Sequence, residues 1–228
     1  MRNWTVDDVM TRAVVSVAQA ASYRSVVDTL IEHRFSAVPV LDDFDRVTGV
    51  VSEADLLRKI EYAGDDEPRL FDGRRRRGAR TKARASGVAE LMSTPAITVL
   101  TGTPIAAAAR RMDAEKVKRM PVVDELGRLI GIVTRGDLLK VHLRPDDEIH
   151  ADVASVLRDA LGDGAKAITA VVTGGLVVLT GATALWSTTR QAARLARQVP
   201  GVVAVSDRID FDIDDSTDAG TGLGFGAA

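Results

Sequence analysis

The first half of the chain alternates between two hydrophobic patterns. Around positions 22–33, apolar residues recur three and four apart behind Ser22, a good N-terminal cap, and this spacing predicts an amphipathic helix. The apolar runs 37–41 and 47–51 follow, separated by the acidic turn 42–46, and they predict a pair of neighbouring strands. A helical turn and a short strand at 14–17 precede them, and a second helix begins at Ser52.

The same pattern returns 82 positions later. Pro39 falls on Pro121 and Asp55 falls on Asp137, and the offset holds without a gap from position 6 to position 57. A single offset over this length indicates an internal repeat. We therefore predict strands at 97–99, 120–123 and 129–133, with helices that begin near Pro104 and at Thr134.

Two quoted segments carry a family resemblance. VPVLDDFDRVTGVVSEADLL, echoed by MPVVDELGRLIGIVTRGDLL, resembles the cystathionine-beta-synthase (CBS) domain, which occurs as a tandem pair. The resemblance implies an α/β (α+β) protein with CBS domains at 6–62 and 88–143. Each is a β-α-β-β-α repeat, and pseudo-twofold symmetry relates the two. The family also implies two clefts that commonly hold adenine nucleotides, and the candidate ligands are AMP, ADP, ATP, NAD and S-adenosylmethionine.

The Ser/Thr-x-x-Asp segments are the first candidate ligand contacts. Ser52 and Thr134 start helices, where free N–H groups and the helix dipole favour phosphate. Asp55 and Asp137, three residues later, can accept hydrogen bonds from ribose hydroxyls. The same pattern is also ordinary helix-start chemistry, an N-cap with an acid in the first turn, and this alternative stays open.

The remaining candidate contacts follow from the family resemblance. Strand residues offer backbone groups to a base, two prolines stiffen the chain there, two hydroxyls match further base-side contacts, and two cations can reach phosphate. The strand residues are Ala37, Val38, Arg119 and Met120, and the prolines are Pro39 and Pro121. The hydroxyls belong to Ser16 and Thr98, and the cations are Lys118 and Arg135. Glu53 opposes phosphate in the first repeat where Arg135 favours it in the second, which favours the Asp137 cleft.

A basic linker at 63–87 separates the repeats, and it includes Arg74, Arg75, Arg76 and Arg77. Three roles are open: a solvated mobile loop, a grip on nucleic acid, polyphosphate or anionic lipid, and a cover that donates an arginine to a bound phosphate. Phe71 is its single aromatic residue, so no base-stacking platform is evident.

The last third predicts a small α-β-β-α-β domain. Helices at 149–161 and 187–198 flank a hairpin around Gly174 and Gly175, and a strand follows at 202–209. The uncharged stretch 167–189 could span a bilayer by length, but its glycines and threonines favour the hairpin. ITAVVTGGLVVLTGAT and VPGVVAVSDRI resemble the BON (bacterial osmotic-stress and nodulation) domain over 148–212. The tail 213–228 is expected to be disordered.

The BON resemblance implies a binding module, often suspected of touching phospholipid or envelope components. Six basic and ten acidic residues follow from Glu148 onward, and this balance argues against an anionic lipid surface. A role in binding an unknown protein partner, or in dimer packing, is an equal alternative.

Composition narrows the function further. The 228 residues include no cysteine and three scattered histidines, so we expect neither a thiolate site nor a metal site. The net charge of −2 gives no general reason to bind nucleic acid. No catalytic constellation is readable, and no signal peptide is seen, so we expect a cytoplasmic, non-enzymatic protein.

The sequence thus predicts a regulatory sensor. A CBS pair would bind an adenine nucleotide or related ligand, associate as a homodimer through its helices, and pass its state to a partner through the BON domain. The alternative is a polyanion or nucleic-acid binder that uses the linker arginines, with the CBS pair as a dimerisation scaffold.

Overall fold

The computed structural model describes residues 4–61 and 87–216, in two compact units. Thr5–Leu138 forms one unit, and Trp4 belongs with the residues from Leu139 onward in the other. The predictions for the linker arginines Arg74–Arg77 and for the tail beyond residue 216 lie outside the described residues.

Each repeat folds into a three-stranded sheet with its helices, as predicted. In both sheets the short first strand runs parallel to the second, and the second pairs antiparallel with the third. The first repeat comprises α1 (Val6–Val9), β1 (Val17–Ala18), α2 (Tyr23–His33), β2 (Ala37–Leu41), β3 (Val47–Ser52) and α3 (Glu53–Glu61). The second comprises α4 (Val88–Leu91), β4 (Val99–Leu100), α5 (Ile105–Ala114), β5 (Arg119–Val123), β6 (Leu129–Thr134) and α6 (Arg135–Leu139).

The first strand of each repeat is shorter than predicted. Only Val17 and Ala18 pair with β2, where the sequence pattern predicted a strand over 14–17. The chain before this strand pairs with the second repeat instead, through the backbone of Thr11 and Ile132. The hydrophobic pattern identifies the segment as extended but does not identify its partner.

The two repeats exchange their first helical turns. Met10 follows α1 and packs on Gly131 of β6, while Met92 follows α4 and packs on Gly49 of β3. Residues Val88, Leu91 and Met92 of the second repeat consequently belong to the core of the first sheet, together with Val17, Val26, Leu30, Val38, Val40, Val51 and Leu56. Each sheet is completed by the other repeat's chain.

The β2–β3 and β5–β6 turns also join the repeats. The Val47 N–H donates to the Gly127 carbonyl, and the Leu129 N–H donates to the Asp45 carbonyl, both at 3.0 Å. Each turn is ordered by its own aspartate. Asp42 accepts from the Arg46 N–H and guanidinium at 2.9 Å each, and Asp124 is held in the same way by Arg128.

These turns lower the pKa of both aspartates. Desolvation opposes ionisation of Asp42, but hydrogen bonds from the Arg46 and Phe44 backbone and from the Arg46 guanidinium outweigh it, so its pKa lies below the ordinary 3.8. The backbone N–H of Arg128 has the largest effect on Asp124, where it outweighs desolvation and lowers the pKa in the same direction.

The second unit has the predicted α-β-β-α-β order. It comprises α7 (Asp146–Leu161), β7 (Ile168–Thr173), β8 (Leu176–Leu185), α8 (Trp186–Arg197) and β9 (Ala204–Ile213), with a 3-10 segment at Gly162–Ala167. The sheet order is β7-β8-β9, with an antiparallel hairpin and then a parallel pair. Both helices cover one face, and their core residues include Val153, Leu157, Leu179, Ala192 and Ala196.

The uncharged stretch 167–189 is therefore the predicted hairpin and the start of a helix. Among the residues that the structure describes, no helix combines the length and apolar character needed to cross a bilayer.

Buried polar contacts tie the start of α7 to the rest of this unit. The Arg144 guanidinium is 2.7 Å from the Asp152 carboxylate, donates to the Pro200 carbonyl at 2.5 Å, and lies over the Trp4 ring. Asp146, the first residue of α7, accepts from the Gly174 and Gly175 N–H groups at 2.7 and 2.9 Å. The hairpin turn is thus fixed to the first turn of the helix.

The exchange contact is testable at Gly49. A Cβ atom there would lie 2.5 Å from the Met92 sulfur, so we expect Gly49→Ala to lower the free energy of unfolding by about 1–3 kcal/mol. Gly136→Ala is the matched control, because its nearest neighbour is 3.7 Å away, and its cost should be close to zero. Denaturant titrations of both variants measure the difference, and equal stabilities would contradict the packing argument.

The turn aspartates predict a pH dependence. Because their folded pKa lies below 3.8, ionised Asp42 and Asp124 stabilise the native state above about pH 3.8, and this stabilisation is lost as the pH falls through the folded pKa. The melting temperature of the wild type should exceed that of a D42N/D124N variant at neutral pH, and the gap should shrink in acid. A gap independent of pH would refute this assignment.

Candidate ligand-binding site

The two Ser/Thr-x-x-Asp segments form closed capping contacts. The Asp55 carboxylate accepts from the Ser52 N–H at 3.0 Å and from its hydroxyl at 2.7 Å. Asp137 accepts from Thr134 in the same way, at 2.9 and 2.7 Å. The helix-start interpretation is therefore realised in both repeats. A role of either carboxylate in ligand binding stays a prediction.

A cavity of about 460 Å³ opens beside the Asp55 cap. It lies between the first repeat and the exchanged chain of the second, so both repeats contribute walls. Its lining consists of Ser36, Ala37, Val50, Ser52, Glu53, Ala54 and Asp55 from one repeat, and Ser93, Pro95, Ala96, Ile97, Lys116, Val117, Lys118 and Arg119 from the other. Five of the predicted contacts meet here: Ala37, Ser52, Asp55, Lys118 and Arg119.

Both basic and acidic side chains line the cavity. Lys116, Lys118 and Arg119 line the wall that precedes and begins β5, whereas Glu53 and Asp55 line the wall at the start of α3. The basic groups outnumber the acidic ones by three to two. A ligand with an anionic group and neutral hydroxyls finds both cations and carboxylate acceptors in this lining.

Arg119 spans the cavity from one repeat to the other. Its guanidinium donates to the Ala37 carbonyl at 3.3 Å and to the Ser36 hydroxyl. Ala37 is the position that corresponds to Arg119 in the first repeat. The two clefts are therefore chemically unequal at their equivalent positions.

The other predicted contacts lie elsewhere. Val38, Pro39, Met120 and Pro121 are buried in the central strands, so their side chains belong to the core. Ser16 lines a different cavity of about 410 Å³, together with Arg12, Asp45 and Arg128. The described lining of the Asp55 cavity does not include Thr98, Thr134, Arg135 or Asp137.

The sequence favoured the Asp137 cleft because of Arg135. In the structure, the Arg135 side chain donates to the Val117 carbonyl at 3.2 Å, a contact within its own repeat. The cavity adjoins Asp55, and Glu53, which was expected to oppose phosphate, lines it. That the Asp137 cleft is the working one stays a prediction, and the Asp55 cavity is the one that both repeats are seen to line.

Sequence reasoning missed several lining residues. Ser36 immediately precedes β2, and Lys116 lies two positions before the predicted Lys118, so proximity to the motif could have identified both. Ser93 and Ile97 carry no comparable signal. They reach the cavity because the second repeat's first segment crosses to the first sheet, where Ser93 pairs with Val50.

Within residues 4–61 and 87–216, no three histidine, cysteine or acidic side chains cluster closely enough to hold a metal ion. The chemistry that the Asp55 cavity offers is hydrogen bonding and charge, which suits the binding of a polar anion.

Two curated relatives resemble the chain. One is CBS domain-containing protein CBSX2, chloroplastic, from Arabidopsis thaliana, which is 30% identical over 155 residues. The other is the uncharacterized protein MK0525 from Methanopyrus kandleri, which is 27% identical over 141 residues. Each match covers 62% of this chain and 64% of the relative, so the chain spans less than two thirds of their length.

A solved structure of CBSX2 is also similar to this chain. The crystal structure of CBSX2 in complex with AMP is similar to this chain with a TM-score of 0.54 and 32% identity. The similarity covers 61% of this chain and 97% of that one.

Family models match both repeats and the last third of the chain. The model for the CBS domain matches residues 6–62 and 88–144, which is half of the chain. The model for the BON domain matches residues 145–212. The repeat, the paired sheets with exchanged first segments and the final α-β-β-α-β unit agree with this assignment, and the chain belongs to the CBS-domain family, as a tandem CBS pair followed by a BON domain.

Proposed function

We propose that this protein is a non-enzymatic regulator whose CBS pair binds an adenine nucleotide in the Asp55 cavity. The observation that carries the proposal is the meeting of Asp55, a hydroxyl acceptor, with the cations Lys118 and Arg119 in one cavity. A nucleotide offers ribose hydroxyls to an acceptor such as Asp55 and a phosphate to the cations, and the lining supplies both kinds of group. The similarity to CBSX2, whose crystal structure contains AMP, supports the choice of adenine nucleotides.

A ligand in this cavity can change the relative arrangement of the two CBS repeats. Its walls come from both repeats, and Arg119 already bridges them through the Ala37 carbonyl. A ligand that contacts both walls binds best to one arrangement of the repeats and shifts the population toward it. The size of the shift equals the difference in binding free energy between the arrangements.

Two parts of the proposal concern partners. Ile31, Leu57 and Ile60 are exposed apolar residues on α2 and α3, at 71%, 58% and 71%, and they support the predicted association through CBS helices. The BON domain is the proposed module that responds to the ligand state by binding a partner. AMP, ADP, ATP, NAD and S-adenosylmethionine remain the candidate ligands, and a cytoplasmic location remains part of the proposal.

The binding of AMP distinguishes the two clefts. We expect Asp55→Asn to weaken AMP binding about tenfold or more, because a neutral amide replaces a charged acceptor of the ribose hydroxyls. Asp137→Asn makes the same change in the equivalent cap outside the cavity, so it should leave the affinity unchanged. Isothermal titration calorimetry on the full chain measures both, and thermal melts confirm that both variants fold.

Asp55→Ala and Asp137→Ala provide a second pair. Both lose a capping contact and should lose about 1 kcal/mol of stability, yet only the first should lose ligand binding. Loss of binding in the Asp137 variant alone would move the site to the other cleft. No measurable binding of any of the five candidate ligands to the folded wild type would overturn the proposed function.

The basic wall predicts a preference for phosphate. Lys118→Ala should weaken AMP binding about threefold to tenfold at low salt and leave adenosine binding unchanged, because the lost charge faces only the phosphate. Arg110→Ala, an exposed cation of α5 outside the cavity lining, is the matched control. Equal losses for AMP and adenosine would show that Lys118 acts on the fold rather than on phosphate.

A further inference from the structure

The BON domain's sheet has two edge strands, β7 and β9, and β7 is the one that borders a groove. In the sheet order β7-β8-β9, β7 lies at the edge and pairs only with β8 among the described strands. It has six residues, enough for a short peptide to pair along its length. Unpaired edges offer backbone N–H and C=O groups to an added strand.

A groove of about 680 Å³ borders β7. It touches Ile168, Thr169 and Ala170, three consecutive residues of β7. Successive side chains point to opposite faces of a strand, so a cavity that contacts all three reaches around the strand's edge. Since β8 occupies the other edge, the groove lies at the free one.

Apolar residues of α7 and of the 3-10 segment line the groove opposite β7. Ala154 and Leu157 lie on α7, one turn apart, and Ala165 comes from the 3-10 segment. Leu157 is 3% exposed, so it forms a floor rather than a surface patch. The small alanines leave room beside β7 for one apolar side chain of an added strand.

Both ends of the groove are held in place. At one end, the Asp146 carboxylate of α7 binds the Gly174 and Gly175 N–H groups of the β7–β8 turn. At the other end, the 3-10 segment Gly162–Ala167 connects α7 directly to β7. Helix and strand therefore keep a fixed separation, which favours a bound peptide because little ordering is required.

Charge indicates which end a peptide's carboxylate would take. Residues 145–212 include nine acidic and six basic residues, yet Arg158 and Lys166 both line the groove. The Lys166 ammonium nitrogen lies 2.7 Å from a carboxylate oxygen of Asp163, whereas Arg158 makes no ion pair with any described residue. Arg158 thus places an uncompensated positive charge beside an apolar slot.

We propose that this edge groove binds an extended peptide of a partner protein. The peptide adds a strand to β7, buries an apolar side chain over Leu157, and places a carboxylate against Arg158. Backbone pairing supplies affinity, while the slot and the arginine select an apolar residue followed by a terminal carboxylate. The proposal does not depend on nucleotide binding by the CBS pair.

The test uses the full chain and a defined probe. The probe is a hexapeptide that alternates threonine and valine and has a free C-terminal carboxylate. We expect it to slow amide hydrogen exchange along Ile168–Thr173 and to shift the NMR signals of these residues with a saturable dependence on concentration. The same peptide with an amidated C-terminus should bind about threefold to tenfold more weakly. A fully N-methylated peptide, which cannot pair, should not bind.

Matched variants locate the site. Ala154→Leu fills the slot and should weaken binding about tenfold or more, whereas Ala151→Leu, an exposed position on the same helix, should not. Arg158→Glu should reduce the free-acid peptide to the affinity of the amidated peptide or below, and Arg194→Glu on α8 is its control. Thermal melts confirm folding, and the two substitutions test the site independently.

Three results would overturn the proposal. In the first, millimolar peptide changes neither the amide hydrogen exchange nor the NMR signals of β7. In the second, the peptide binds equally well to the Ala154→Leu and Arg158→Glu variants. The third is a β7 that responds to anionic phosphatidylglycerol vesicles but not to the peptide, which would identify a membrane-facing surface instead.

Discussion

The arrangement of the CBS pair depends on the exchange of the first helical turns between repeats. Met10 fits over Gly131 and Met92 fits over Gly49, where any larger residue would meet the methionine side chain. Thr11 and Ser93 then pair with strands of the opposite repeat and fix the crossing chain. Because the first sheet's core includes Val88, Leu91 and Met92, that core is incomplete without the second repeat. Close packing of a shared core ties the folding of each repeat to the other.

The candidate site is a consequence of this exchange. The second repeat's chain crosses to the first sheet and brings Ser93 and Ile97 to the Asp55 cavity. Arg119, the first residue of β5, and Lys118, which precedes it, also line that cavity. A site assembled from two repeats is sensitive to their relative arrangement, and this property gives a bound ligand a physical route to regulation. The Arg119 guanidinium, bound to the Ala37 carbonyl, already connects the two walls without a ligand.

The BON domain has a different construction, since its sheet and both of its helices come from one continuous stretch of chain. Its hairpin was predicted from the strand-like apolar runs on either side of Gly174 and Gly175, and β7 and β8 form that hairpin, although β8 continues as far as Leu185. Its last strand is longer than the predicted 202–209. It extends over Ala204–Ile213 because it pairs with β8 as far as Leu185. Strand length is set by the partner strand, which the local sequence does not reveal.

Local sequence determined the elements, the repeat and the capping chemistry of this protein. The N-cap at Ser22 and the contacts of Ser52 with Asp55 depend on residues close together in the chain, and spacing alone reveals them. The 82-residue offset follows from comparing the sequence with itself. Tertiary structure decided which basic residues face the Asp55 cavity. Arg135 and Arg119 are equally basic in sequence, yet only Arg119 lines the Asp55 cavity. The reason is that this cavity's walls meet only after two distant segments cross, and no local pattern records that crossing.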